Sequence, residues 1–528
     1  MVVTGTGEAL PGPTALRMAV GATGPITDHL GKGGASRVGV GGGHSTDRAG
    51  RTTQPPVREG PLLRRCVCCG KGWVSALVAS TALQDRVQVL QRTLYRAAKA
   101  DPERRFHALY DKVYRRDVLE RAWTNVCQNA GAAGIDRTTI ADVEHYGVTR
   151  LLDELAAELK EGTYRPLPAR RVFIDKHGST DKRPLSIPAV RDRIVQAAVK
   201  IVLEPVFEAD FLPSSFGFRP KRGVYDALQV LIDESWRGRR WVVESDIANC
   251  FEAIPHDRLV AAVEERVCDR QVLKLLRTML RAGVILDGSV RRSESGTPQG
   301  GVVSPLLANI YLHRLDEAWQ DGGGVGVLVR YCDDLVVLCR SRKEAEGALA
   351  ALTAILHGLG LEPKASKTRI VHLVEGGEGL DFLGFHHSWV SNRSSRSRQH
   401  VSFLARWPTR QAMQRARDRI RELTMRRWVL LPVEEVVRSL NRFLRGWAGF
   451  FRYGNSSQHF IDIRWYAQMC LARFVAKRHG RRPAFGRWVV GVVSANQLGL
   501  VSLSGLVVAP RPNRPWRGKP NAGGERRR

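Results

Sequence analysis

The sequence predicts an α+β fold, and three observations lead to it. Two apolar runs, "WVVES" before Asp246 and "LVVLC" after Asp334, are typical of buried strands, and each has a carboxylate at its end. Helical spacing with basic outer faces runs from about Ala82 to Asn129 and returns from Pro432 to His479. Helix and strand signals alternate between these regions, up to about His387. A mixed segment is therefore followed by an α-helical one.

The N-terminal residues show no such periodicity. Met1 to about Pro61 is rich in Gly, Thr, Ser and Pro, a composition that cannot bury enough apolar surface to offset the entropy of ordering the chain. We expect this segment to be disordered, or to be wrongly included in the coding region, and to contribute nothing to the fold.

Charge and composition limit the class of function. The formal net charge is +30, from 82 Lys and Arg against 52 Asp and Glu, which favours a polyanionic partner and nucleic acid over a membrane surface. No apolar run approaches the roughly 18 to 20 residues of a membrane span. Nine cysteines, an odd number, favour reduced thiols. We therefore expect a cytoplasmic protein with no membrane partner.

The stretch "RYCDDLVVLC" places Asp333 and Asp334 side by side between two apolar runs. These runs are read as the strands of a β-hairpin, so the two carboxylates lie at its turn. Like charges this close raise each other's pKa unless a cation or hydrogen bonds offset them. A divalent metal would do so, but a solvated Asp-Asp turn explains the stretch equally well.

The stretch "RRWVVESDIANCF" supplies another carboxylate, Asp246, at the end of a strand. Our hypothesis is that Asp246 and Asp333 converge on adjacent strands and hold two Mg²⁺ ions, since Mg²⁺ prefers hard oxygen ligands. Two such ions about 3.5 to 4 Å apart activate an attacking 3′-hydroxyl and stabilise the leaving pyrophosphate. Taken alone, Asp246 could instead be a helix N-cap or an ion-pair partner.

A third stretch, "SESGTPQGGVVSPLLANIYLHRLDEAW", predicts a helix after a glycine-rich turn. Ser304 followed by Pro305 is a good N-cap and first-turn pair. Apolar residues then follow at helical spacing: Leu306, Leu307, Ile310 and Leu315. The glycines before the helix let the backbone approach a ligand closely.

The order of these motifs makes a family resemblance specific. "DIANCF", "GTPQGGVVSPLLANIYLHRLD", "RYCDDLVVLC", "LGLEPKASKTRI" and "GLDFLGF" follow one another as in reverse transcriptases. More narrowly, the chain resembles the reverse transcriptase/maturases encoded by bacterial group II introns, from about Leu83 to Gly480. The resemblance implies a right-hand polymerase with palm and fingers, followed by an α-helical thumb or maturase (X) domain.

On this basis the chain divides into five parts. They are a disordered or low-complexity extension (1–80), a helical N-terminal extension and start of the fingers (81–150), the fingers and palm (151–390), the maturase/thumb domain (405–485) and a basic C-terminal tail (486–528).

The resemblance assigns roles to individual residues. Asp246, Asp333 and Asp334 match the family's catalytic, metal-binding carboxylates, with Asp246 and Asp333 as the expected direct ligands. Cys332 stands where Ala is frequent in the family. The implied nucleotide-binding residues are Lys182 and Arg183, which grip the triphosphate, Phe251, which excludes a 2′-hydroxyl, Gln299, which lies against the nucleotide, and Lys367, which lies near the phosphates.

The segment "LNRFLRGWAGFFRYGN", Leu440 to Asn455, resembles the core of the maturase domain. Most of its aromatic residues recur at i, i+3, i+4 and i+7, so we read them as helix core. Basic residues interleave with them and recur in "LARFVAKRHGRRP", which predicts contacts with RNA phosphates. The predicted RNA-binding residues are Arg442, Arg445, Arg452, Lys477 and Arg478.

The resemblance implies an RNA-directed DNA polymerase that binds its group II intron RNA, assists splicing and copies the intron during retrohoming. It implies two Mg²⁺ ions, for which Mn²⁺ could substitute, and as partners intron RNA, a DNA target and primer, and dNTPs. We expect a cytoplasmic protein that joins the nucleoid during mobility. Two alternatives stay open: another bacterial reverse transcriptase, serving phage defence or diversity generation, and an RNA-binding splicing factor without polymerase activity.

The C-terminal residues bear on one further property. After Gly480 the sequence has neither Cys nor His, which a zinc-supported H-N-H nuclease domain requires. We therefore expect no endonuclease of that kind, and cDNA synthesis from an existing 3′-hydroxyl such as a nascent strand at a replication fork.

Overall fold

The computed structural model describes residues 73–175, 182–286, 288–291, 295–393, 400–492 and 498–508. Its first helix ends just before Asp101-Pro102, because the residue before a proline disfavours the helical region. The first five helices are α1 (Trp73–Ala100), α2 (Tyr110–Val113), α3 (Arg116–Asn129), α4 (Ile140–Tyr146) and α5 (Val148–Glu161). Both α1 and α3 pack on α6 (Val190–Glu208).

An N-terminal sheet follows α5. Its strands are β1 (Ala169–Asp175), β2 (Lys182–Ile187), β4 (Val284–Leu286) and β5 (Ser289–Arg291), in the order β2-β1-β4-β5. Strands β1 and β2 form an antiparallel hairpin, with Asp175 opposite Lys182. The residues that connect them, 176–181, lie outside the described part.

The central sheet is antiparallel and has the order β6-β7-β3-β8. Its strands are β3 (Trp241–Asp246), β6 (Val327–Tyr331), β7 (Asp334–Cys339) and β8 (Arg369–His372). The hairpin predicted for "RYCDDLVVLC" is therefore confirmed, and so is the strand that ends on Asp246.

Helices cover both faces of the central sheet. They are α7 (Val224–Trp236), α8 (Cys250–Ala253), α9 (His256–Glu264), α10 (Arg270–Arg281), α11 (Ser304–Ala318) and α12 (Arg342–Gly358). Successive strand residues point to opposite faces, so Val243 joins one hydrophobic core with α9 to α12. Its neighbour Val242 joins a second core with α7 and the C-terminal helices.

A third sheet, not predicted from the sequence, connects the central sheet to the C-terminal helices. Its strands, in the order β11-β10-β9, are β9 (Leu380–Phe382), β10 (Phe385–Arg393) and β11 (His400–Pro408). The C-terminal helices are α13 (Arg410–Leu423), α14 (Val433–Phe451), α15 (Ser457–Arg478) and α16 (Pro483–Val492). The helical region predicted from Pro432 to His479 thus corresponds to α14 and α15.

Two expectations about helix starts were wrong. Helix α1 begins at Trp73, inside the segment 1–80 assigned to the extension, and residues 1–72 lie outside the described part. Ser304 is not an N-cap: it is the first residue of α11, and its hydroxyl donates to the Pro298 carbonyl at 2.9 Å. The tight turn before α11 brings that carbonyl within reach, so it competes with the capping bond. The four apolar residues predicted for the helix core are all buried.

The assignment of residues 486–528 as a basic tail also needs correction. The first residues belong to α16, and the segment 498–508 packs against α14 and α15, with Leu500 and Leu503 buried. The side-chain amide of Asn441 donates to the Gly499 carbonyl at 2.7 Å, and its carbonyl accepts from the Val501 amide at 2.8 Å. Residues 509–528 lie outside the described part.

None of the described helices is both long and apolar enough to cross a membrane.

The packing of this C-terminal segment leads to a stability prediction. We expect Leu503→Ala to lower the free energy of unfolding by about 2 to 5 kcal/mol, because truncating a fully buried leucine leaves a cavity. The matched control is Leu506→Ala, since Leu506 is 39% exposed and should change stability by no more than about 0.5 kcal/mol. Urea unfolding of both variants measures the difference. Equal midpoints would show that the segment does not pack as described.

A buried histidine in the third sheet leads to a pH prediction. His387 lies opposite Arg406 in the β10–β11 pairing and is fully buried. Burial, with the nearby Arg406 charge, lowers the pKa of His387 to about 3. The unfolded chain takes up this proton at about pH 6.5, so stability is lost as pH falls through the window between those values.

We therefore expect His387 to contribute a loss of about 1.4 kcal/mol between pH 7.5 and pH 5.5. In His387→Leu that part of the pH dependence should disappear, whereas His357→Leu, at an exposed position on α12, should leave the contribution of His387 intact. Unfolding curves at the two pH values measure it. An identical pH dependence in wild type and His387→Leu would contradict the prediction.

Candidate active site

The pairing of β3 with β7 brings together three carboxylates from distant parts of the chain. Asp246, the last residue of β3, lies opposite Asp334, the first residue of β7. The Ile247 amide donates to the Asp333 carbonyl at 3.2 Å. Between β6 and β7 the turn is only Cys332 and Asp333, and Cys332 has a positive φ of 60°. The predicted convergence of Asp246 and Asp333 on adjacent strands is confirmed.

Burial and mutual repulsion raise the pKa values of two of these three carboxylates. Burial, followed by the charges of Asp333 and Asp246, raises the pKa of Asp334 to about 7. Burial and the Asp246 charge also raise the pKa of Asp333. Asp333 and Asp334 are only partly exposed, which argues against the alternative of a freely solvated Asp-Asp turn.

Lys367 supplies the nearest positive charge. Its ammonium nitrogen lies 2.8 Å from Oδ2 of Asp246. Burial lowers the pKa of Lys367, but its hydrogen bond to Asp246 and the charges of all three carboxylates outweigh this effect, so the net shift is upward. A short 3-10 turn, Ala365–Lys367, carries the lysine, and the Lys364 amide anchors this turn on the Asp246 carbonyl at 2.7 Å.

Some of the predicted metal ligands, but not all, fit a hard divalent cation. Among the described residues, no group of three or more His, Cys, Asp or Glu side chains is arranged to hold a metal ion. The positions of the three carboxylates therefore do not support the prediction that Asp334 is a third metal ligand. They do offer the carboxylate oxygens of two aspartates, Asp246 and Asp333, at the ends of paired strands. Mg²⁺ commonly takes one or two carboxylates and completes its coordination with water and substrate phosphates.

Of the predicted nucleotide-binding residues, Arg183 and Lys367 interact with this cluster. The positive charge of Arg183, on β2, is near enough to Asp333 to lower its pKa, against the larger opposite effect of burial. Lys182 begins the same strand and is exposed. The Gln299 carbonyl accepts from the Ser186 amide at 2.6 Å, so the "TPQG" loop lies on β2. Phe251 is partly buried on α8, and its carbonyl accepts from the Thr297 amide.

A residue without an assigned role, Arg330, anchors the turn that carries Asp333. Its guanidinium is fully buried and forms an ion pair with Asp316, which is buried as well. The signal in the sequence was a lone charge inside the apolar strand "VLVRY". Such a charge is costly in a core without a partner, but the sequence does not identify the partner.

Among the described residues, no hydrogen bond or ion pair links the predicted RNA-binding residues to the carboxylates. Arg442 and Arg445 lie on an exposed side of α14, and Arg452 follows its last turn. Lys477 and Arg478 end α15 and are exposed. Arg478 donates to the carbonyls of Val429 and Leu431, so it also has a structural role.

Comparison with known proteins assigns two segments of the chain to known families. Residues 174–387 match the reverse transcriptase (RNA-dependent DNA polymerase) family, and residues 413–490 match the group II intron maturase-specific domain. Protein YkfC of Escherichia coli (strain K12) is 34% identical over 351 residues, which cover 58% of this chain and 89% of YkfC. The chain belongs to the group II intron reverse transcriptase/maturase family.

Other relatives of this reverse transcriptase/maturase match over shorter regions. The group II intron-encoded protein LtrA of Lactococcus lactis subsp. cremoris is 39% identical over 212 residues, 40% of this chain and 35% of LtrA. Nuclear intron maturase 4, mitochondrial, of Arabidopsis thaliana is 33% identical over 165 residues, 31% of this chain and 20% of the relative. The chain therefore spans about a third of the length of LtrA.

Both domains of the family contribute to the geometry described above. The reverse transcriptase match includes β3, β6, β7 and β8, and so all three carboxylates. The maturase-specific match includes α14 and α15. The maturase-specific domain favours this family over the alternative of a reverse transcriptase for phage defence or diversity generation.

Proposed function

We propose that the protein is an RNA-directed DNA polymerase that binds its group II intron RNA, assists splicing as a maturase and copies the intron into DNA during retrohoming. The observation that carries the proposal is the meeting of Asp246 and Asp333 at the ends of paired strands, in a chain that also has a maturase-specific domain. Intron RNA, a DNA target and primer, and dNTPs are the corresponding partners.

In this proposal Asp246 and Asp333 hold two Mg²⁺ ions, with Asp334 beside them. Bound Mg²⁺ would activate the primer 3′-hydroxyl and stabilise the pyrophosphate that leaves. The protein's own contribution is to keep two carboxylates close together and partly shielded from water, where they attract divalent cations strongly. Lys367, already paired with Asp246, is placed to contact phosphate oxygens at the same point.

The surrounding elements then acquire polymerase roles. The central sheet is the palm, the N-terminal sheet belongs to the fingers, and the C-terminal helices form the thumb. Lys182 and Arg183 on β2 grip the triphosphate, and Arg is suited to this because its planar guanidinium donates to two phosphate oxygens at once. Gln299 lies against the nucleotide, and the ring of Phe251 fills the space that a 2′-hydroxyl would need.

The maturase role depends on basic residues of the C-terminal helices. Arg442, Arg445 and Arg452 are separated by three and then seven residues, which places them on one side of α14. Lys477, at the end of α15, adds a further exposed charge. Contacts of this kind with RNA phosphates release counterions, so binding weakens steeply as salt rises. The RNA supplies the splicing chemistry, and the protein supplies binding energy.

A splicing factor without polymerase activity is the competing function. It predicts RNA binding without DNA synthesis, so primer extension on an RNA template with Mg²⁺ and dNTPs separates the two. The close association of Asp246, Asp333 and Lys367 favours the polymerase, since a pure RNA-binding protein has no use for a buried cluster of carboxylates.

Asp333→Asn tests the catalytic assignment. We expect primer extension to fall by at least about a hundredfold, because a neutral amide cannot replace a charged metal ligand. Intron RNA binding should be unchanged, because the substitution leaves the exposed arginines of α14 intact. Asp233→Asn, on α7, is the matched control and should extend primers normally. Extension by Asp333→Asn at the wild-type rate would refute the metal assignment and leave the maturase role standing.

Phe251→Ala tests the sugar gate. Removing the ring opens the space beneath the sugar, so we expect the preference for dNTP over rNTP in single-nucleotide incorporation to fall by about ten- to hundredfold. Measuring the preference as a ratio removes any general loss of activity. Phe450→Ala, a partly buried aromatic on α14, is the control and should keep the wild-type ratio. An unchanged ratio in Phe251→Ala would show that Phe251 is an ordinary core residue.

A further inference from the structure

The guanidinium of Arg330 is held by a full set of acceptors beneath the catalytic turn. Nε and Nη2 donate to the two oxygens of Asp316 at 2.8 and 2.5 Å. Nη2 also donates to the Ser215 hydroxyl at 2.8 Å, and Nη1 donates to the Asn309 side-chain carbonyl at 3.0 Å. The remaining contact is a long one, 3.4 Å from Nη1 to the Cys332 carbonyl. All five N–H donors are thus used.

Through Arg330, these contacts join α11 and the segment before α7 to Cys332, the residue before Asp333. Asp316 and Asn309 belong to α11, Ser215 belongs to the segment before α7, and Cys332 is half of the two-residue turn. We call the Arg330 side chain and its four partners the Arg330 clamp. Because the clamp ends on the Cys332 carbonyl, it acts on the peptide unit that leads directly into Asp333.

Backbone contacts reinforce the clamp on its other side. The Arg330 amide donates to the Ser214 carbonyl at 2.8 Å, and the Phe216 amide donates to the Arg330 carbonyl at 2.9 Å. The Asn309 side chain also donates to the Gly217 carbonyl at 2.8 Å. A Cβ at Gly217 would lie 2.6 Å from the Cys332 nitrogen, so the 214–217 backbone is packed directly against the turn.

Stability alone does not account for this arrangement. Both side chains of the Arg330–Asp316 pair have no solvent exposure, and removing two such charges from water costs about as much free energy as their attraction returns. A pair of apolar side chains of similar volume would serve the core equally well. A fixed polar network at this point has another effect, which is to restrict the turn to one conformation.

We propose that Arg330 is a positioning residue for catalysis: through the Arg330 clamp it fixes the Cys332–Asp333 turn so that the Asp333 carboxylate faces Asp246. Arg330 touches neither nucleotide nor metal in this role and acts only through Asp333. The inference deepens the proposed polymerase function and rests on it.

The test is pre-steady-state incorporation of a single dNTP by wild type and Arg330→Lys. Lysine keeps the charge next to Asp316, but its single ammonium group cannot reach Asp316, Asn309 and the Cys332 carbonyl together. We expect the burst rate to fall by about ten- to hundredfold, as for other small misplacements of a reacting group, and the half-saturating Mg²⁺ concentration to rise. The burst amplitude counts the competent molecules, so the rate is independent of any fraction that fails to fold.

Arg266→Lys is the matched control. Arg266 is also buried and combines an ion pair, with Asp210 at 3.0 Å, with backbone carbonyl acceptors, including that of Ala98 at 2.9 Å. These partners lie at the ends of α6 and α1, and none of them belongs to the Arg330 clamp. We expect Arg266→Lys to lose a similar amount of thermal stability and to keep the wild-type burst rate and Mg²⁺ requirement.

The double variant Arg330→Met/Asp316→Leu removes both charges and leaves no unpaired carboxylate. We expect it to fold, with a low burst rate. The inference would be overturned if either Arg330 variant kept the wild-type burst rate and Mg²⁺ requirement. It would also be overturned if both variants had no burst amplitude, because the ion pair would then be required for folding. If the wild type itself shows no burst, the polymerase proposal fails. If the wild type shows a burst and Arg330→Lys has the same burst rate and Mg²⁺ requirement, only the proposed role of the Arg330 clamp is refuted.

Discussion

Repulsion among Asp246, Asp333 and Asp334 is the constraint around which the central part of the molecule is organised. Each carboxylate raises the free energy of its neighbours, and burial adds to this cost, as the upward pKa shifts of Asp333 and Asp334 show. Something must hold the groups together. Strand pairing does so through the backbone, and Lys367 does so through charge, since its ammonium lies on Asp246.

The strands can hold the carboxylates because both of their faces are packed. Val243 and Val337 face one hydrophobic core, and Val242 and Val336 face the other. Packing on both faces stabilises the pairing of β3 with β7. The pairing that places Asp246 opposite Asp334 therefore depends on apolar residues that take no part in the chemistry. The charged site lies at the ends of strands that are stabilised by the two hydrophobic cores.

Sequence reasoning succeeded where a pattern is local. The alternation in "WVVESD", the hairpin around Asp333 and the periodicity of Leu440 and Leu444 each follow from side-chain direction within one element. It failed where the deciding partner is distant. Ser304 has ideal capping chemistry, yet its hydroxyl bonds the Pro298 carbonyl, and the alternation of buried residues along β10 includes His387, a residue that polarity alone would place outside.

The same limit applies to the candidate site. The carboxylates were predictable, because acidic residues at strand ends are conspicuous in an apolar context. Their partners were not. Nothing in "ASKT" indicates that Lys367 contacts Asp246, and nothing in "LDEAW" indicates that Asp316 pairs with Arg330. Such pairs depend on which strands and helices become neighbours, a property of the whole chain, so only the need for a partner can be inferred from sequence.

The shared second core has a consequence for how the two proposed activities are related. Val242 and Val336, behind the carboxylates, pack in the same core as Leu440 and Leu444 of the maturase-domain helix α14. Tyr225 on α7 strengthens the connection, since its hydroxyl donates to the Phe450 carbonyl at 2.7 Å and its ring lies 4.6 Å from that of Tyr453. Truncating a residue in this core would loosen polymerase and maturase surfaces together. The two activities are separable only through side chains outside this core, such as the carboxylates and the exposed arginines of α14.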